Sequence, residues 1–422
     1  MNKTAQIKNI LAKLAEAPFP WVILLTLLLH VLRGPEMILW PQFWAEDGNI
    51  FFFDDYAFGW KAVSHPYAGY LHVWPRLLAF VAGYFPLFWI PLIDKLASLF
   101  THFILLSIIA HRRFPGTHAQ KVVMMLLTSL LPNGGEVFLN LANSITFCGV
   151  ILIAICSCAP AERMVSRLFE ALFLFIIACS GPFVLFFLPV IVVFYIWNEQ
   201  AKQAMPLRGI ALISAFVVQA SVFSFSLRAE PPHWNSSIEA WLVAMRKFSF
   251  GIVFGQTPLG NWLQFVLAIG VLAALLLCFW ETFARANKKG EWQMPVSLFW
   301  LACAAAQHAA CLYIARSHPD LLNPYTLTSH YFYPSYLFIL WGLVLDVSEP
   351  QRAALRKAIV TLSIFFSVIF FHTTSPFVDL HWADQVEDFE STGRTKLKIL
   401  PPGWGFILDR SLCWRCREAQ SF

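Results

Sequence analysis

The stretch that decides the fold lies near the start of the chain, where residues 19–48 read FPWVILLTLLLHVLRGPEMILWPQFWAEDG. Its first part, residues 19–40, is an apolar run as long as the roughly 20 residues with which a helix crosses a bilayer. Two adjacent carboxylates, Glu46 and Asp47, follow just past this run. The order predicts a membrane-spanning helix whose far end presents acidic side chains to water.

The composition agrees with a membrane protein. Of the 422 residues, 58% are hydrophobic and 13% are charged, whereas about 25% are charged in a soluble domain. The 41 Phe and 17 Trp residues are typical of rings that face lipid and line membrane interfaces. The formal charge of +5 does not indicate nucleic acid binding, because the basic residues form short clusters between apolar runs. Membrane lipid is therefore the first expected partner.

The basic clusters predict how the chain crosses the membrane. They are Arg112-Arg113 with Lys121, Arg163 with Arg167, Lys202 with Arg208, Arg285 with Lys288-Lys289, and Arg352 with Arg356-Lys357. If these clusters and the N-terminus are cytoplasmic, the chain crosses once and then forms a hairpin between successive clusters. The predicted spans are 19–40, 91–110, 119–132, 144–159, 167–180, 183–198, 208–227, 259–283, 294–315, 332–347 and 355–372. The prediction is an all-α polytopic membrane protein with about 11 spans and an outside C-terminus.

This layout divides the chain into two parts. Residues 1–372 form a transmembrane domain with a long first outside loop at 41–90, and residues 373–422 form an outside C-terminal tail. Within the first loop, 48–58 and 77–84 are too short to span and are predicted to be interfacial helices. A span over 77–90 would instead make twelve and reverse every later loop.

Two predicted hairpins are unusually short. Residues 167–199 hold two helices that meet at Gly181-Pro182, and the pair 119–132 and 144–159 is interrupted at 132–136. Irregular backbone at membrane depth is tolerated where it lines a wet cavity. The outside loops are therefore expected to surround a cavity that opens at membrane depth.

The carboxylate pair is the first candidate for chemistry. Transfer of a sugar from a phosphate to a hydroxyl needs a base that takes the hydroxyl proton. Glu46 or Asp47, at the wet end of a span, can serve as that base. The alternatives are a solvated interfacial pair or a helix cap.

Cations and polar side chains on the outside are candidates for substrate binding. A lipid-phosphate leaving group needs Arg or Lys near the headgroup plane, although most basic residues there simply contact lipid. Asn140 and Asn143 could bind sugar hydroxyls, or could join helices through hydrogen bonds, as Gln307 could within its span. The full set of candidates is His72, Arg76, Asn140, Asn143, Arg228, Lys247, Arg316, His330 and Tyr331.

Metal and disulfide chemistry has weaker signals. No tight His or Cys spacing predicts a zinc site, and a divalent cation held by carboxylates stays an open alternative. Cys413 and Cys416 have C-x-x-C spacing in the tail, which fits either two free thiols or a local disulfide on an oxidising side of the membrane.

These motifs resemble a known family. The chain is similar to the GT-C class of membrane glycosyltransferases, and within it to the serotype-converting O-antigen glucosyltransferases carried by bacteriophages. The resemblance covers most of the chain, and its carriers are residues 43–48 (FWAEDG), 180–183 (SGPF), 330–334 (HYFYP) and 401–404 (PPGW).

The resemblance implies an activity and a location. It implies an undecaprenyl-phosphate glucose donor, a lipid-linked O-antigen acceptor and inversion at the anomeric carbon. The site would face the periplasm from the inner membrane of a Gram-negative bacterium. The family's first-loop base corresponds to Glu46 or Asp47 here. The alternatives are a flippase or transporter of lipid-linked saccharide, and an O-antigen polymerase or ligase.

Overall fold

The computed structural model describes residues 13, 16–131, 137–226, 238–255, 257, 259–287, 294–314, 327–348, 352–369, 371 and 377–419. The protein is mostly helical, at 76%. The helices of the first half are α1 Phe19–Leu32, α2 Glu36–Leu39, α3 Phe53–Phe58, α4 Val73–Ala82, α5 Ile90–Ala110, α6 His118–Leu130, α7 Ser144–Ser157, α8 Met164–Ala178, α9 Phe183–Trp197 and α10 Glu199–Lys202. Those of the second half are α11 Met205–Ser226, α12 Ile238–Phe254, α13 Asn261–Ala286, α14 Val296–Ile314, α15 Tyr333–Leu345, α16 Ala353–Ile369, α17 Trp382–Thr392 and α18 Trp414–Ala419.

Each of the eleven predicted spans overlaps a helix in the described part of the chain, with bounds that differ by a few residues. Among the described residues, four helical stretches are long and apolar enough to cross a membrane, namely Leu87–Ala110, Met205–Ser224, Asn261–Ala286 and Val296–Tyr313. Several others are apolar but shorter, such as α7 with 14 residues and α9 with 15. At about 1.5 Å per residue, helices of this length fall short of the roughly 30 Å hydrocarbon core. The short hairpins expected from the sequence are therefore present.

The first predicted span is broken before its end. Helix α1 ends at Leu32, and Gly34 and Pro35 separate it from the single turn of α2. Between them, the buried Arg33 guanidinium donates to the carbonyls of Ser129, at 2.9 Å, and Leu131, at 2.7 Å. Arg33 thereby satisfies carbonyls at the C-terminal end of α6, which otherwise lack helical partners.

The basic clusters gather at one end of the bundle, which we call the basic end. Glu170 of α8 accepts from Arg113 and from Arg208, each at 2.6 Å, and so joins two of the clusters. Arg285 pairs with Asp346 at 2.9 Å, and Arg356 pairs with Glu281 at 2.8 Å. These ion pairs join helix ends that lie on the same side of the bundle. The described residues of the basic clusters therefore lie together, as the sequence predicts.

The opposite end carries the first loop and the tail, and we call it the cavity end. The first loop folds into short helices: a π-helix at Asp47–Phe52, α3, a 3₁₀ helix at Gly59–Ser64, and α4. The two interfacial helices predicted at 48–58 and 77–84 are thus found as short helices, with shifted bounds.

The prediction of an all-α chain is wrong for the tail. Residues Arg394–Ile399 and Trp404–Asp409 form two antiparallel strands, β1 and β2, which pair with Arg394 opposite Asp409. Alternate side chains of the hairpin are buried, as the two-residue repeat of a strand requires. The hairpin is stabilised by pairing of its two strands and by packing on the distant first loop, and neither contact shows as a local pattern in the sequence.

The tail packs on the first loop through a shared apolar cluster. Phe43 and Phe52 contact rings and aliphatic side chains of α17 and the hairpin; the tail members of this cluster are Trp382, Val386, Phe389, Leu397, Ile399, Phe406 and Leu408. Arg415 of α18 forms a two-pronged ion pair with Asp55, at 2.7 and 3.1 Å. Cys413 and Cys416 are joined by a disulfide just before and within this helix. The tail therefore covers the first loop.

One predicted loop contains a helix that the sequence interpretation missed. The predicted spans 208–227 and 259–283 leave 228–258 as an outside loop, yet α12 occupies Ile238–Phe254 within it. It packs into the bundle, since Ser363 of α16 donates to the carbonyl of Ile252 at 2.8 Å and the Phe248 ring lies 4.0 Å from that of His308. Charges at Glu239, Arg246 and Lys247 interrupt its apolar run and concealed it.

Candidate functional site

The carboxylate pair lies where the tail meets the first loop. The amide of Leu400 donates to the carbonyl of Phe43 at 3.0 Å, and the amide of Ala45 donates back to the carbonyl of Leu400. Ala45 has φ of 34°, in the left-handed region that a non-glycine residue rarely adopts. This turn leads into the π-helix that begins at Asp47, and Glu46 lies directly before it. The pair is therefore held by contacts about 350 residues away in the sequence.

A cavity of about 310 Å³ opens beside this turn at the cavity end. Its walls come from the first loop, the starts of α7 and α9, the end of α14, the start of α15 and the tip of the tail hairpin. The polar lining residues are Glu46, Tyr67, Tyr70, His72, Asn143, Thr146, Gln307, His330 and Tyr331. Its position above the short hairpins is the one expected from the sequence.

Glu46 faces this cavity. The Tyr67 hydroxyl donates to Glu46 Oε1 at 3.2 Å. Burial raises the pKa of Tyr67 to about 12, and the Glu46 charge adds to the rise. The phenol therefore stays protonated at neutral pH and can orient the carboxylate by donating to it.

Asp47 points away from the cavity into the protein. It is fully buried and accepts from Lys95 Nζ at 3.1 Å. The amides of Ala142, at 2.8 Å, and Leu141, at 3.2 Å, also donate to its two oxygens. Asp47 thus ties the first loop to α5 and to the segment that leads into α7. It does not cap the helix that follows it, which was one of the roles considered from the sequence.

The two candidate asparagines, like Glu46 and Asp47, differ in whether they line the cavity. Asn143 lines the cavity, whereas Asn140 is buried and its Oδ1 accepts from the amide of Asn143 at 3.0 Å. Asn140 therefore shapes the turn that presents Asn143, and both depend on the segment that Asp47 holds.

His72 and Arg76 also differ in position. His72 lines the cavity, and burial lowers its pKa to about 3, with a smaller contribution from the charge of Arg76. His72 is therefore neutral at physiological pH and can donate or accept a hydrogen bond. Arg76 is buried outside the lining, with its guanidinium 5.1 Å from the centre of the Phe51 ring and 2.9 Å from Asp54.

The remaining candidates fall into two groups. His330 and Tyr331 line the cavity, with ring centroids 4.2 Å apart, and the carbonyl of Tyr331 accepts from Gln307 at 3.2 Å. Arg228, Arg316 and the side chain of Lys247 lie outside the described residues. Within the described ranges, no group of three His, Cys, Asp or Glu side chains could hold a metal ion.

Several lining residues were not among the sequence candidates. They are chiefly aromatic and lie in turns or in the first residues of a helix or strand: Tyr67, Tyr70, Phe183, Phe186, Pro401 and Trp404. A signal was available in the Tyr-Ala-Gly-Tyr turn at 67–70 and in the 401–404 motif. Only the folded chain brings these turns to one cavity.

We expect Tyr67→Phe to lower the turnover of whatever reaction Glu46 serves by about tenfold, since a hydrogen bond to a charged group contributes about 1.5 kcal/mol. The measurement is the initial rate at equal amounts of membrane-inserted protein. Tyr84→Phe, on an exposed tyrosine outside the cavity lining, is the matched control. Equal rates for both variants would remove the Tyr67 hydroxyl from the site.

No family model, curated protein or solved structure matches the chain.

Proposed function

We propose that this protein is a membrane glycosyltransferase that uses a polyprenyl-phosphate-linked sugar. The proposed donor sugar is glucose, and the proposed acceptor is lipid-linked O-antigen on the periplasmic side of a bacterial inner membrane. Glu46 is the proposed base. The observation that carries the proposal is a carboxylate in an aromatic and amide-lined cavity at the end of the bundle opposite the basic clusters.

The cavity chemistry suits transfer to a hydroxyl. As the acceptor oxygen attacks the anomeric carbon, its proton passes to the Glu46 carboxylate. The bond between that carbon and the phosphate oxygen breaks, and polyprenyl phosphate leaves with the bonding electrons. Attack from the face opposite the phosphate inverts the anomeric centre. Asn143 and Gln307 offer amide donors and acceptors to sugar hydroxyls.

The leaving phosphate requires cationic partners. Arg228, Lys247 and Arg316 stay the proposed partners, and a divalent cation stays an alternative to them. His72 does not compete for this role in its neutral form.

Two observations support the proposed orientation. The basic clusters lie together at one end, as expected of a cytoplasmic face. The tail at the other end has a disulfide between Cys413 and Cys416, a bond that persists in oxidising compartments such as the periplasm.

The orientation predicts which engineered cysteines react from outside intact cells. Trp60→Cys at the cavity end should react with an impermeant maleimide in whole cells, whereas Glu162→Cys at the basic end should react only after lysis. Both positions are well exposed, and the seven free native cysteines are buried in the described structure. Labelling of position 162 in whole cells would invert the proposed topology.

The proposed function is tested by analysing the O-antigen polysaccharide that cells make. Cells with O-antigen and a polyprenyl-phosphate glucose synthase are compared with and without the gene, and the polysaccharide is examined by mass and linkage analysis. A new side-branch hexose is expected on each repeat. Longer chains without a new branch would indicate a polymerase, and loss of surface O-antigen with no new linkage would indicate an effect on export.

A further inference from the structure

The tip of the tail hairpin places a tryptophan at the cavity wall. Trp404 alternates along β2 with Phe406 and Leu408, so all three share one face of the strand. Phe406 and Leu408 are buried in the cluster with the first loop, whereas Trp404 extends past that cluster and is 41% exposed. A large ring on the inward face is thus left uncovered where it lines the cavity.

The ring is anchored close to the proposed base. Trp404 pairs with Ile399 at the end of the hairpin, and its amide donates to the carbonyl of Pro401 at 3.2 Å. The adjoining Leu400 bonds to the backbone on both sides of Trp44. Glu46 comes two residues later, so the hairpin tip and the carboxylate share one backbone attachment.

A sugar ring suits this wall. A pyranose has an apolar C–H face and a hydroxylated edge, and a tryptophan gives a broad, rigid apolar surface at low entropic cost. Tyr70, Tyr331 and Asn143 supply polar groups in the same cavity. A saccharide lying on Trp404 can therefore bury its apolar face and still place hydroxyls against hydrogen-bonding groups.

We propose that Trp404 is the platform on which the acceptor saccharide stacks, so that the tail hairpin determines which saccharide is accepted. The inference rests on the proposed function, because the acceptor is the substrate whose hydroxyl must meet Glu46. The ring is anchored through Leu400 to the backbone just before Glu46, the carboxylate that the acceptor hydroxyl must reach, so a saccharide lying on it is close to the proposed base.

The first test is kinetic and uses purified protein in nanodiscs. The donor is polyprenyl-phosphate glucose, and the acceptor is O-antigen polysaccharide released by mild acid. Trp404→Ala should raise the acceptor KM about tenfold, the effect of losing one stacking contact, and leave the donor KM within about twofold. Trp404→Phe should retain most of the acceptor affinity. The matched controls are Ile407→Ala, on the opposite face of β2, and Trp60→Ala, an exposed ring outside the lining.

The second test measures binding without transfer, by saturation-transfer NMR of the same polysaccharide, with dextran of equal size as comparison. Binding by the wild type and the controls, with about tenfold weaker binding by Trp404→Ala, supports the platform. Equal binding by Trp404→Ala, or no preference over dextran in the wild type, overturns it. Equal losses toward donor and acceptor in both Trp404 variants would show a structural role and also overturn it. If the wild type binds but never transfers glucose, the proposed function fails, and the binding result alone decides the platform.

Discussion

Glu46→Gln is expected to lower the rate of sugar transfer by about 10²–10⁴-fold, the usual contribution of a general base. The amide keeps the shape of the side chain but cannot accept the acceptor proton. Because Glu46 lines the cavity and Asp47 does not, the loss should appear in turnover, with the amount of folded protein unchanged. The measurement is glucosylation of O-antigen, normalised to membrane-inserted protein.

Glu36→Gln is the matched control for this experiment, because Glu36 precedes the cavity turn and does not line the cavity. It should transfer sugar at the wild-type rate. A Glu46→Gln variant that is equally active would show that the cavity carboxylate is not the base. A variant that is inactive because it fails to insert would leave the rate unmeasured, so Glu46→Asp, which keeps a carboxylate, is tested alongside and should retain part of the activity.

Asp47→Ala is expected to destabilise the protein by about 3–5 kcal/mol, the cost of breaking a buried ion pair. It would leave the Lys95 ammonium without Asp47 in a fully buried position and deprive the amides of Leu141 and Ala142 of their acceptor. For a chain of this length, the expected fall in the unfolding midpoint is about 3–6 °C. The free buried cysteines allow it to be followed with a thiol-reactive dye in detergent.

The reason for that loss is tested by a second substitution. Asp47→Asn with Lys95→Met removes both charges and keeps an amide oxygen for the two backbone donors, so it should recover part of the midpoint. Glu162→Gln, which breaks an exposed pair with Arg112, should shift it by less than about 1 °C. An Asp47→Asn variant as stable as the wild type but inactive would assign Asp47 to the chemistry instead.

Substitutions at Glu46 and at Asp47 should change different measured quantities, although the two residues are adjacent. Glu46 variants should change turnover at constant stability, and Asp47 variants should change stability first. Asp47 accepts from the amides of Leu141 and Ala142, which directly precede the cavity residue Asn143. Loss of Asp47 should therefore change the cavity only by displacing Asn143. For Asp47 variants, but not for Glu46 variants, we therefore expect activity to fall in proportion to the amount of folded protein.

The sequence by itself determined the class of the protein and the position of most helices. Apolar runs and basic clusters are local properties. They predicted eleven ranges that each overlap a helix, and they predicted that basic residues gather at one end. Helix length follows directly from residue count, so the sequence showed that two hairpins are too short to span the membrane and predicted a cavity beside them. Helix α12 was not predicted, because charged residues interrupt its apolar run and its packing depends on neighbouring helices such as α16.

Only the tertiary structure decided which carboxylate faces the cavity. Glu46 and Asp47 are neighbours in the sequence, and their directions are set by a turn held by Leu400 and by a partner at Lys95. The two strands of the tail pair with each other, and the hairpin reaches the site because Leu400 bridges to Trp44, about 350 residues away. Such contacts depend on where distant segments meet after folding, and no local pattern of residue types encodes that meeting.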